Sequence, residues 1–146
     1  LAESTPMDRS EMMSRIGSRN TKPEMVVRKG LHAAGFRYRL HARNLPGSPD
    51  IVLPKCRSVI LVHGCFWHAH KGCRNFRLPK SNTDFWREKL VRNAERDTRQ
   101  LKELQDAGWR TLVVWECATR DFSTKKLVET IAAWLHQEVQ IVQIPD

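Results

Sequence analysis

The sequence predicts an α/β protein, a mixed β-sheet flanked by helices. Residues 58–62 and 110–115 are short, nearly continuous apolar runs of the kind buried on both faces of a sheet. Between and around them lie longer stretches with helical period, apolar on one side and charged on the other. The resulting order is helix, strand, strand, strand, helix, strand, helix, spread over 146 residues without repeats or low-complexity tracts. That length suits one domain with a real core, spanning 1–146, with residues 1–20 as a basic N-terminal arm.

The arm carries Arg9, Arg15 and Arg19, and offers Met12, Met13 and Ile16 for burial, so it reads as an arm, a short helix or a disordered tail. The first helix starts at Thr21, a good N-cap. Pro23 lies in its first turn, and Glu24, three residues after Thr21, completes a capping box. It should run to about Ala34, where Gly35 stops it. Phe36, Tyr38 and Leu40 alternate with Arg37, Arg39 and His41, the period of a half-buried strand.

The turn-rich residues 44–49 feed a second strand, 50–53, which Pro54 ends. The buried run 58–62 follows. Asn82 or Thr83 can cap a long helix from about Asp84 to Ala107, ended by Gly108, with Phe85, Leu90, Ala94, Leu101 and Leu104 as its apolar side. After the strand 110–115, Ser123 caps a last helix through about Leu135.

The chain carries 25 basic and 16 acidic residues, a net charge of +9, and its pI is near 9.9. Such an excess favours a polyanionic partner, nucleic acid first, over a charge that only aids solubility. No apolar run reaches the ~18 residues that cross a bilayer, so a soluble, cytoplasmic protein without a membrane partner is expected. The four cysteines come with no visible signal peptide, which fits a reducing compartment and metal ligation better than disulfides. The chain opens on Leu1, which suggests a trimmed or processed N-terminus.

The most informative segment is His63-Gly64-Cys65-Phe66-Trp67-His68-Ala69-His70-Lys71-Gly72-Cys73. Thiolates and imidazoles at these spacings suit tetrahedral zinc. Cys65, His70 and Cys73 can supply three ligands. Cys117, after an apolar strand, is a better fourth than Cys56, and either His63 or His68 is an alternative to His70.

Asp50 stands where a loop enters a strand, either as a turn residue or as a carboxylate for Mg²⁺, which one or two carboxylates suffice to hold. His63 and His68 are the histidines placed to take a proton from a water near it. Phe66 and Trp67 are either core or a rigid wedge that unstacks a duplex, and Trp86 can join them. Lys89 and Asn93, four residues apart, share a helix face that is either solvated or able to reach base edges.

Taken together, Pro49-Asp50-Ile51-Val52, His63-Gly64-Cys65-Phe66-Trp67-His68, Asn93-Ala94-Glu95-Arg96-Asp97 and Trp115-Glu116-Cys117 closely resemble the very short patch repair (Vsr) DNA mismatch endonucleases. The resemblance runs from about Arg9 to Leu135. It implies a restriction-endonuclease-like fold with one structural zinc, held by Cys65, His70, Cys73 and Cys117. It also implies a nick 5′ to the thymine of a T:G mismatch left by deamination of 5-methylcytosine. Asp50 and the main-chain carbonyl of Val62 would hold Mg²⁺, His68 would act as general base, His63 would assist at the phosphate, and Glu24 would support the metal's water shell. Phe66, Trp67 and Trp86 would intercalate from the major groove, Met13 would press from the minor groove, and Lys89 and Asn93 would read the wobble pair.

Glu24 is thus claimed twice. A side chain folded back on the Thr21 amide would not reach a metal's water. The strand after Asp50 reads Ile60-Leu61-Val62-His63, without the second acid and lysine of related nucleases, as in the Vsr family itself. The alternatives are a zinc-stabilised binder of distorted duplex that does not cut, and a restriction enzyme cutting both strands. No dimerisation signal is present and a monomer is expected, bound at the bacterial nucleoid and open to recruitment by mismatch-repair proteins.

Overall fold

Alternate residues of the central strands point into two different apolar layers, and this organises the molecule. The structure, a computed structural model, describes residues 20–74, 76–137 and 141–145. Helix α1 (Lys22–Ala33) leads to β1 (Arg39–Leu40), β2 (Ile51–Leu53), a 3₁₀ turn (Pro54–Cys56) and β3 (Ser58–His63). The long helix α2 (Thr83–Asp106) crosses to β4 (Arg110–Trp115), and α3 (Glu116–Asp121), α4 (Thr124–Leu135) and β5 (Ile141–Ile144) complete the chain. The five strands lie in the order β1-β2-β3-β4-β5. The first two pairings are antiparallel and the last two parallel, so the sheet is mixed as expected.

On one face Ile60, Leu112 and Val114 meet Val27 and Leu31 of α1 and Leu127, Ile131 and Trp134 of α4. On the other, Val59, Leu61, Val113 and Trp115 meet Leu104 of α2, together with Cys65 and Cys117. Each fully buried Leu or Ile contributes roughly 1.5–3 kcal/mol, and the strands that carry both layers are the continuous apolar runs.

Thr21 caps α1 by accepting from the Glu24 amide at 3.3 Å, and Gly35 leaves the helix at φ +92°. Two expectations are corrected. The strand foreseen over 36–41 shrinks to Arg39–Leu40, because Phe36 and Tyr38 turn to the core while the pairing with β2 covers only two residues. Neither Asn82 nor Thr83 caps α2: Asn82 is left-handed (φ +55°) without a side-chain cap bond, and Thr83 Oγ1 donates back to the carbonyls of Pro79 and Lys80. Helix α3 and strand β5 were not foreseen at all.

Candidate active site and metal centre

Strand register assembles the cysteines. β3 and β4 run parallel with His63 opposite Trp115, so Cys65 and Cys117, each two residues further on, leave the sheet side by side. Cys56, in the 3₁₀ turn, packs against the opposite core, which removes it from the ligand set. The intervening loop is wound by His70 N–H to the Cys65 carbonyl (2.9 Å) and Cys73 N–H to that of His70 (3.3 Å). Ala69 (φ +49°) and Gly72 (φ +71°) make its left-handed turns.

One ligand atom from each of Cys65, His70, Cys73 and Cys117 lies within 4.8 Å of the others, and the His70 ring stacks on Trp115 at 3.9 Å. Burial pushes the Cys65 thiol up to about 12 and raises Cys117 as well. Thiols so reluctant to ionise become thiolates beside a bound cation, and three sulfurs with one imidazole form a closed four-ligand set for a borderline-soft ion.

A second corner forms at the ends of β1, β2 and β3. Leu40 pairs with Ile51, so the next residues, His41 and Asp50, face one another, and the His41 amide donates to the Asp50 carbonyl at 3.0 Å. The Val62 amide donates to Asp50 Oδ2 at 2.7 Å. Among the described residues Oδ1 has no hydrogen-bond partner. Burial raises the Asp50 carboxyl to about 6; the Val62 amide offsets part of this, and the Glu24 charge adds to it.

Glu24 is 1% exposed. Its Oε1 accepts from the Asn20 amide (3.0 Å), and its Oε2 from Arg28 (3.1 Å) and His41 Nε2 (2.7 Å). The conflict over Glu24 therefore dissolves: the side chain reaches back to Asn20 rather than Thr21, and from there it still stands beside Asp50. Ligand atoms of Glu24, His41 and Asp50 lie within 4.8 Å of one another.

His68 Nδ1 lies 2.5 Å from Asp97 Oδ2. A carboxylate only accepts, so Nδ1 carries the hydrogen, and in the neutral ring it is Nε2 that holds the lone pair. His68, Asp50, Glu24, Val62, Phe66 and Trp67 line one cleft of about 330 Å³. His63 is not on that wall. Its ring stacks on His68 at 3.8 Å, from behind, and burial, reinforced by the nearby His68, pulls it down to about 3, so it is neutral. His63 thus stacks on His68 and lines with it, Asp97 and His70 a second pocket.

The aromatics gather beside the cleft. Phe66 and Trp67 meet Trp86 edge-on at 5.5 and 6.0 Å, and Trp86 is only 6% exposed. Trp86 is thus folded into the cluster, not presented to solvent. Lys89 Nζ sits 5.8 Å over the Trp67 ring, and Asn93 Nδ2 donates to the Trp67 carbonyl at 3.1 Å. Both residues hold the aromatic loop in the free protein. Met13 lies outside the described residues.

Sequence reasoning missed His41 and gave Asp97 no role. The spacing Lys89, Asn93, Asp97 was the available signal, since residues four apart share a helix face.

A carboxylate and an oriented histidine on one cleft of a strongly basic chain suit a hydrolase of nucleic-acid phosphodiesters. Residues 3–75 match the family model described as DNA mismatch endonuclease Vsr. The chain is 41% identical over 139 residues to the DNA mismatch endonuclease Vsr of Escherichia coli, covering 93% of this chain and 88% of that one. It is 50% identical over 117 residues to the type II nicking enzyme V.XorIIP of Xanthomonas oryzae (80% and 85% covered), and 48% over 117 residues to the nicking enzyme V.NmeAIP of Neisseria meningitidis (80% and 83%). The chain belongs to the Vsr family of DNA mismatch endonucleases.

Proposed function

We propose that the chain is a Mg²⁺-dependent, strand-specific endonuclease that nicks duplex DNA 5′ to the thymine of a T:G mismatch, as arises from deaminated 5-methylcytosine. The observation that carries it is the placement of His68: its Nδ1 is committed to Asp97, which leaves Nε2 as the nitrogen for proton transfer, and it lines the same cleft as Asp50. His68 takes a proton from the attacking water, and Asp97 steadies the imidazolium that forms. His63, stacked on His68 and held neutral by burial, assists at the phosphate without adding a charge.

Asp50, through its unpartnered Oδ1, and the main-chain carbonyl of Val62 would hold Mg²⁺, with Glu24 beside them. When bound, that ion supplies charge stabilisation for the phosphate and the leaving oxygen. Cys65, His70, Cys73 and Cys117 would hold one structural Zn²⁺, fixing the loop that carries Phe66, Trp67 and His68.

For recognition, Phe66 and Trp67 enter the base stack and Trp86 follows as the cluster opens. Met13 presses from the minor groove, while Lys89 and Asn93 exchange Trp67 for the wobble pair. We read residues 1–146 as one monomeric domain with residues 1–20 as a DNA-binding arm, working in the cytoplasm at the nucleoid. Among the described residues no helix is long and apolar enough to cross a membrane.

A labelled T:G duplex with Mg²⁺ tests this. Wild type should nick only the T strand, 5′ to the mismatched base, and leave the T:A control intact. Asp50→Ala should be inactive, and His68→Ala slower by about 10²–10⁴. Equal cleavage of T:A would refute mismatch specificity. Undiminished cleavage by both variants would refute the assigned site, and linear products from undamaged plasmid would favour a double-strand cutter.

A further inference from the structure

Glu24 is a nearly fully buried carboxylate with a dedicated set of donors. Its two oxygens present four lone-pair positions, and three are filled, by the Asn20 amide, Arg28 and His41. Two of these donors are local. Asn20 and Arg28 each lie four residues from Glu24, at the start and on the face of α1, and they would meet its carboxylate wherever the helix packed. His41 comes from elsewhere in the fold, at 2.7 Å, and fixes the carboxylate relative to the sheet.

The backbone holds His41 for this contact. The β1–β2 register puts it opposite Asp50, its amide is tied to the Asp50 carbonyl, and its own φ is +48°. That left-handed conformation is uncommon outside glycine, and histidine is among the side chains that enter it most readily. Because the ionised carboxylate can only accept, Nε2 carries the hydrogen. The remaining lone pair, on Oε1, is the one left for the cleft that Glu24 shares with Asp50.

We propose that His41 is a positioning residue for the metal site: by donating Nε2–H to Glu24 Oε2, it locks the Glu24 carboxylate relative to Asp50, and so tunes divalent-ion binding there. The inference rests on the metal-site reading of Asp50 and Glu24 given above. Partners of this kind change metal affinity or activity by about 10–100-fold when removed.

The test is a double-mutant cycle on full-length protein, with two readouts. One is Mn²⁺ affinity, followed by electron paramagnetic resonance in the presence of a duplex carrying a non-cleavable linkage. The other is the Mg²⁺ dependence of single-turnover nicking. His41→Ala should weaken Mn²⁺ by roughly tenfold or more and raise the Mg²⁺ half-saturation in step, with duplex affinity unchanged. His41→Gln, which keeps a donor, should recover most of the loss. His41→Phe fills the space without a donor and replaces the alanine variant if that one fails to fold. Adding His41→Ala to Glu24→Ala, which leaves Nε2–H no acceptor, should have no further effect.

Wild-type Mn²⁺ affinity in His41→Ala, or a full additional loss in the double variant, would overturn the proposal while leaving Glu24 and Asp50 in place. Full metal affinity in both Glu24→Gln and Asp50→Asn would instead sink the metal-site reading beneath it.

Discussion

Burial holds the Asp50 carboxyl at about 6, against an ordinary 3.8, and the Glu24 charge presses on the same corner. The native state therefore binds this proton more tightly than the unfolded chain does. The penalty for the buried carboxylate is full above about pH 6 and gone below about pH 3.8. Asp50→Asn is expected to stabilise the metal-free protein near pH 7.5 by as much as ~3 kcal/mol, from ~1.4 kcal/mol per pKa unit, while abolishing nicking. Denaturant melts should show the gain shrinking to nothing near pH 4, and a variant less stable than wild type at the higher pH would contradict the argument. Asp97 makes a different demand. Asp97→Asn keeps the shape but brings an N–H as well as an oxygen to His68 Nδ1, so the ring can turn to the wrong tautomer. Nicking should slow by on the order of 10²-fold or more with duplex affinity unchanged. Wild-type rates at saturating protein would show that Asp97 has no share in the chemistry.

The loop after β3 is held from two sides, by the cluster of Cys65, His70, Cys73 and Cys117 below and by one stripe of α2 above. Lys89 lies over the Trp67 ring, Asn93 bonds the Trp67 carbonyl, and Asp97 takes His68, so three residues spaced by four clamp three consecutive features of the loop. Much of this was legible in the sequence, for local reasons. Cys65, His70 and Cys73 are close along the chain, and the apolar runs that became β3 and β4 announce strands buried on both faces. What stayed hidden depends on pairing partners. His41 meets Glu24 only through the β1–β2 register, and Asp97 meets His68 only because α2 packs over that face of the sheet. β5 is a half-exposed edge strand whose Val142 and Ile144 make sense only beside β4, and α3 begins directly after β4, without a cap or glycine to mark it. The element-level expectation concerns the ligand loop. Elemental analysis should find about one equivalent of zinc, and Cys73→Ala or a strong chelator should lose cooperative melting, because a structural metal contributes directly to folding. Unchanged melting after complete metal removal would rule out that role.

At the scale of the whole molecule, the sheet divides the work. One face buries α1 and α4 in an apolar layer, while the other, under α2, carries Cys65 and Cys117, and the start of β2 and the end of β3 open on the cleft. The candidate site is thus gathered at one edge, and the chain that surrounds it has a net charge of +9. If that charge serves duplex binding, each phosphate neutralised releases condensed counterions, and log affinity must fall linearly with log salt by about 0.9 per contact. An aromatic wedge of the kind proposed would make a separate contribution, since stacking on bases adds affinity with no counterion release. Trp67→Ala should therefore weaken binding to a T:G duplex, and lessen its preference over T:A, while leaving the salt slope where it was. Charge reversal on the basic arm, Arg15→Glu with Arg19→Glu, should flatten the slope and lower affinity for both duplexes alike. Fluorescence anisotropy across a range of KCl concentrations separates the two effects. A Trp67 variant with an altered slope and intact mismatch preference would mean that the wedge acts through the phosphates and that discrimination lies elsewhere in the chain.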